Sequence, residues 1–238
     1  MRRLAHLVTA MVVSLATMPQ ARAQDAHPVW HQDLPTLEAQ VLQVLNAART
    51  QPVAYAQGLR TYRGFFHANI VAMPGQAVDY ETQEGVVPVD ESIAFLAQQA
   101  PLDSLGSADL LTRTAADHVR EQSASGQTGH YSADGASPSD RLIRRGGGGQ
   151  VAEVIAYGAV DAVDVVRQLI VDDGVRDRGH RKVIFAGHLR YAGVACGPHP
   201  EFGTMCVIDM ADSPDGRPGG SLRRVRVAAA DQTGERLR

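Results

Sequence analysis

Cysteine is scarce in this chain: two residues, Cys196 and Cys206, in 238, with no Cys-x-x-Cys spacing that would suggest a zinc module. A second long apolar run is also missing. The first, "LAHLVTAMVVSLATM", has about 15 residues, short of the roughly 20 that a membrane-spanning helix needs, so no membrane span is expected. There is no Gly-x-Ser-x-Gly nucleophile elbow and no His-Glu-x-x-His helix. The four glycines at 146–149 are not followed by Lys-Ser/Thr and lack dinucleotide-binding spacing, which reads as a flexible connector rather than a phosphate cradle. No internal repeat is visible. Basic excess is absent too. The formal charge is −3, and removal of residues 1–23, which carry three arginines and no acid, takes it to −6. Nucleic acid is bound mainly by neutralising phosphates, so a nucleic-acid partner is not expected.

What is present begins with an export signal. Met1-Arg2-Arg3, the apolar run and "ARA" before Gln24 read as a cleaved signal over 1–23 and a secreted or periplasmic product. A polar leader, 24–35, follows. In that compartment the even pair of cysteines suggests one disulfide. The length suits one good-sized domain, placed at 36–212, with a mobile tail over 213–238.

Helical periodicity is clear in four places. Leu37, Val41, Val44, Leu45 and Ala48 share a face, with Thr36 as N-cap and Pro52 forcing a break or a new start. From Gly58 to Pro88 no period persists, which reads as a surface excursion. The pattern returns at "DESIAFLAQQA" and at "SADLLTRTAADHVREQ", where His118 falls on the apolar face as a packed, hydrogen-bonded histidine. "SPSDRLIRRG" has a cap at Ser137, a proline at the first helical position and an acid at the third. "DAVDVVRQLIV" is capped by Asp161. Finally, "RYAGVACGPHPEFGTMCVIDMA" reads as two strands around a Gly/Pro turn, which sets Cys196 opposite Cys206. Closing that loop is worth about 3 kcal/mol on the chain-entropy account.

Four loop-like positions carry chemistry. His130 lies in "TGHYSADG", Glu153 in the otherwise apolar "VAEVIAYG", and Asp173 and His180 in "DDGVRDRGHRKVIF". Glu153 is either on the wet face of a strand or partly buried and paired.

The order of "NAAR", "GHYSADGASPSDRL", "AEVIAYG", "DDGVRDRGHRKVIF" and the closing "GVACG…MCVIDMA" resembles the bacterial branch of the CAP superfamily, also called SCP/TAPS, over roughly residues 36–212. The resemblance implies an α+β fold, a three-layer α/β/α sandwich with a central antiparallel sheet. It also implies a cleft lined by two histidines and two acids. His130, Glu153 and His180 match the cleft motifs directly; Asp173 is taken as the second acid, with Asp172 the alternative. His130 and His180 are then expected to hold a divalent metal, zinc foremost, with Glu153 and Asp173 available for proton transfer. The chain departs from the family pattern where Val154 replaces an asparagine after the acid, where no proline precedes the Gly-His-Arg turn, and where Val183 replaces an asparagine. Three uses of the cleft follow: binding a small apolar ligand or an extracellular partner, metal-assisted hydrolysis of a peptide, ester or glycan, or a purely structural polar network.

Overall fold

The stripe that begins at Leu37 forms α1 (Leu37–Thr50), and the Thr36 hydroxyl accepts from the Ala39 amide at 3.3 Å. The computed structural model describes residues 36–76 and 78–218; the segments read as a signal (1–23) and a leader (24–35), and the chain from 219 onward, lie outside the described residues. Pro52 starts a new helix, α2 (Pro52–Arg63), where its missing N–H is not needed. The stretch after Gly58 is more ordered than its pattern suggests. Three two-residue strands, β1 (Phe66–His67), β2 (Ile70–Val71) and β3 (Tyr80–Glu81), pair antiparallel into a small sheet. Strands this short carry no readable alternation.

There follow α3 (Val87–Gln98), β4 (Gly106–Ser107), α4 (Asp109–Ser125) and α5 (Pro138–Arg144), the last opened by a full capping box between Ser137 and Asp140. Then come β5 (Ala152–Tyr157), α6 (Ala162–Val171), α7 (Gly179–Ile184), β6 (Tyr191–His199) and β7 (Gly203–Ala211). The main sheet has the order β4-β6-β7-β5. Three of its strands are antiparallel as expected, but the short β4 pairs parallel to β6.

Alternation along β7 explains the layers. Cys206, Ile208 and Met210 enter the larger core with Val41 and Leu45 of α1 and Val166, Leu169 and Ile170 of α6. Met205, Val207 and Ala211 point the other way, onto Ala115 and Val119 of α4 and Leu142 of α5. Helices therefore cover both faces of the sheet, and no helix among the described residues is long and apolar enough to cross a membrane. The α4 layer sits very close. A Cβ on Gly193 would lie 2.0 Å from the Thr112 amide nitrogen, so β6 admits only glycine there.

The glycine run is packed rather than a flexible connector. Gly148 donates to Asp215 O at 2.8 Å and Gln150 to Gly216 O at 2.9 Å. A Cβ on Gly148 would stand 2.1 Å from Gly216 O. Residues 213–218, read from the sequence as the start of the tail, are thus held against the domain.

Cys196 and Cys206 are direct partners in the β6–β7 ladder and form a disulfide. Reduction should lower stability by about 3 kcal/mol, the closure entropy of a loop this size. Chemical denaturation with and without reductant reads this directly; equal midpoints would show that the hairpin holds itself together without the bond.

Candidate functional site

Glu153 lies on β5, the edge strand, with its side chain on the α4–α5 side. That side chain is 1% exposed, so the buried, paired reading is correct. One oxygen, Oε1, accepts from His130 Nδ1 at 2.9 Å; the other accepts from Nη2 of Arg141 on α5. Arg141 also donates from Nη1 to the carbonyl of His130 at 2.9 Å. A single guanidinium thereby ties both the backbone of the histidine loop and the acid that orients the ring.

The residue before His130 is held from behind. His118 and Gln122 both donate to the Gly129 carbonyl, at 2.8 and 2.7 Å, while the Gly129 amide donates to Tyr157 Oη at 2.9 Å. The Tyr157 hydroxyl donates onward to Gln122 Oε1 at 2.8 Å, and burial raises its pKa, so it remains a donor. His118 is fully buried, as its place on an apolar helical face suggested. His199, at the end of β6, is buried with its ring 5.3 Å from that of Tyr157, and it belongs to this same support.

His180 stands in the first turn of α7, a helix where the sequence suggested only a charged loop. Its partner is Asp172. His180 Nδ1 donates to Asp172 Oδ1 at 2.6 Å, and the amides of His180 and Arg181 donate to Oδ2 at 2.9 and 3.3 Å. The carboxylate therefore caps α7 and orients the imidazole together. Asp173, the acid matched to this place on sequence, points elsewhere and accepts from the amides of Gln83 and Glu84 at 2.7 and 2.8 Å. The correction has a backbone cause. Asp172 ends α6 in the left-handed conformation, φ 62°, which turns successive side chains to different sides. Arg178, also left-handed, bonds Glu84 and Glu91 and the carbonyls of Asp172 and Val175. Its guanidinium, helped by the Gly174 amide, holds Glu84 down at about 2. Beneath α7, buried Arg181 donates to Ile170 O, Val171 O and Ser92 Oγ, anchoring the turn that carries His180.

The two halves meet with their imidazole centroids 6.4 Å apart. His130 is 42% exposed and His180 24%, whereas the carboxylates behind them are buried, so an incoming ligand meets rings and not acids. With each Nδ1 committed to a carboxylate, each Nε2 is left to face a ligand. Val154, which replaces the expected asparagine, lies fully buried in the larger core on the opposite face of β5. A side chain at 154 therefore cannot reach Glu153, which is held by Arg141. Arg141 and Asp209 are the residues that sequence reasoning missed. Asp209 had the same signal as Glu153, a carboxylate inside an apolar run, and it pairs directly across the ladder with Glu153.

The fit to a metal is that of a two-histidine site. Among the described residues no group of three or more His, Cys, Asp or Glu side chains stands where it could hold an ion. Both oxygens of Glu153 and of Asp172 are already engaged, so any ion would have His130 and His180 as its protein ligands, completed by water.

Comparison with known proteins bears on the same segments. The family model CAP, "Cysteine-rich secretory protein family", matches residues 42–210. No curated protein matches the chain. Among solved structures, an extracellular SCP-domain protein from Bacillus anthracis is similar at 20% identity and a TM-score of 0.39, over 46% of this chain and 34% of that one. An outer surface protein from Borrelia burgdorferi is similar at 15% identity and a TM-score of 0.39, over 46% of this chain and 77% of its own. This chain thus spans about a third of the Bacillus protein.

Proposed function

Because the chain belongs to the CAP, or cysteine-rich secretory protein, family, we propose that it is an exported binding domain. Its His130–His180 cleft would take a divalent ion, zinc foremost, and present it to a small ligand or an extracellular partner. The observation that carries this reading is the pair of partly exposed imidazoles, each backed at Nδ1 by a buried carboxylate, which is the usual support of a metal-binding histidine. His130 and His180, with ring centroids 6.4 Å apart, would be the side chains that hold the ion. Such an ion would supply a Lewis-acid contact for a carbonyl or carboxylate. Tyr131, 68% exposed and next in sequence to His130, offers an aromatic surface for the apolar part of a ligand. Export is supported by the basic start and apolar run of residues 1–23 and agrees with the extracellular and outer-surface descriptions of the two similar structures.

Hydrolysis with Glu153 or Asp173 moving the proton has less support. Glu153 is enclosed and doubly bonded, and Asp173 serves the backbone of residues 83–84. A general base must reach the proton that it takes, and neither acid faces the cleft.

Zinc titration by calorimetry tests the proposal. We expect one ion per chain, weaker than a four-ligand structural site, and loss of binding in both His130→Ala and His180→Ala. His188→Ala, at an exposed position, is the control. Acidification should weaken binding, since only neutral imidazole ligates. Wild-type affinity in both cleft variants would rule out the shared site.

A further inference from the structure

Asp209 has no exposed surface, and neither of its side-chain oxygens has a hydrogen-bond donor among the described residues. An ionised carboxylate left without donors in a protein interior is too unfavourable to persist. Along the ladder Asp209 faces Glu153 on β5 and Gly193 on β6, and the backbone of α4 at Leu111 and Thr112 closes over Gly193. The Glu153 carboxylate, on the same face and directly across the ladder, can accept a hydrogen bond from Asp209. Two carboxyl groups can share a hydrogen bond only when one of them holds a proton. Glu153 already has donors in His130 and Arg141, and Asp209 has none, so the proton belongs on Asp209.

We propose that Asp209 is a positioning residue of the cleft: a neutral carboxylic acid whose proton is donated to Glu153, fixing the carboxylate that orients His130. Burial is the largest cause raising the Asp209 pKa, followed by the negative charge of Glu153, while Arg141 acts in the opposite sense. Glu153 has lone pairs enough for three donors, one each from the imidazole, the guanidinium and the acid. Its carboxylate then cannot rotate without breaking one of them, and the imidazole keeps its Nδ1–H tautomer. The inference concerns the same cleft as the metal-binding reading but stands on contacts present without any ion.

The linkage has a definite sign. A carboxyl group whose folded pKa is raised keeps its proton while the unfolded chain releases it. The contribution of Asp209 to stability is therefore full below the ordinary aspartate value and is lost as the pH rises through the folded one. Asp209→Asn, which supplies a permanent donor, should remove that fall.

The test is carboxyl 13C NMR across a pH series on the full chain with its disulfide intact and no metal added. Asp209 should remain in its protonated position at neutral pH, where exposed carboxylates have ionised. In Glu153→Gln its titration should move down, because the repelling charge is gone and Arg141 is freed. Imidazole 15N spectra should show one His130 tautomer in wild type and Asp209→Asn, and a mixture in Asp209→Val. An ionised Asp209 at neutral pH in the wild type overturns the proposal, and that measurement depends on no variant folding. So does a single His130 tautomer in folded Asp209→Val. Because no ion is present, a failure of zinc to bind in calorimetry leaves this result separate.

Discussion

Replacing Arg141 by methionine is expected to destabilise the domain by about 3–5 kcal/mol, the usual loss when one partner of a buried ion pair is removed. Methionine keeps much of the side-chain volume, so the loss is electrostatic. The Arg141 side chain is 4% exposed and that of Glu153 1%, and no solvent is available to take over the stranded carboxylate. The same change strips the His130 carbonyl of its donor. Urea denaturation followed by circular dichroism gives the number. Adding Glu153→Leu to Arg141→Met should recover much of the loss, because a buried pair replaced whole by apolar groups is often neutral. If the single variant stays within about 1 kcal/mol of wild type, the carboxylate is not buried and paired as described.

The second large effect separates two adjacent aspartates. Asp172→Asn should weaken zinc binding by roughly 10–100-fold, the range typical when the group behind a ligating histidine is altered. An asparagine has one acceptor oxygen where Asp172 uses two, for the His180 ring and for the amides of His180 and Arg181. Its NH2 group must then face either a ring N–H or a backbone N–H. Asp173→Asn should leave zinc affinity near wild type and lower thermal stability instead, since that carboxylate holds the amides of residues 83 and 84. Paired calorimetric titrations decide the matter. An equal loss of affinity in both variants would mean that the loop acts as one unit and that Asp172 has no special hold on His180.

The contrast between these neighbours shows how far sequence reasoning reaches. Periodicity located α1, α3, α4 and α6, because in each a repeated apolar spacing reports a face turned to a core, while capping signals at Ser137 and Pro138 located α5 and two β-rich runs around a Gly/Pro turn located the β6–β7 hairpin. It gave no sign of α7, a six-residue helix formed by Gly179–Ile184, too short to show a stripe and started by the Asp172 carboxylate from outside it. The three short strands between Phe66 and Glu81 were hidden for a related reason: two residues contain no alternation. The glycines at 146–149 looked like slack because composition does not reveal that another backbone segment lies against them.

By itself the sequence determined the helices and strands long enough to repeat a pattern and the cysteine pairing, while the family resemblance pointed to His130, Glu153 and His180 as neighbours. Those properties depend on local spacing or on motifs in a linear order. Tertiary structure alone decided that Asp172 and not Asp173 holds His180, that Arg141 anchors Glu153, and that Asp209 lies across the ladder from it. Each of those choices depends on which side a backbone dihedral turns a side chain and on which strand lies opposite. In an interior without water those two facts determine whether a charge finds a partner, and neither is written in the spacing of residues along the chain.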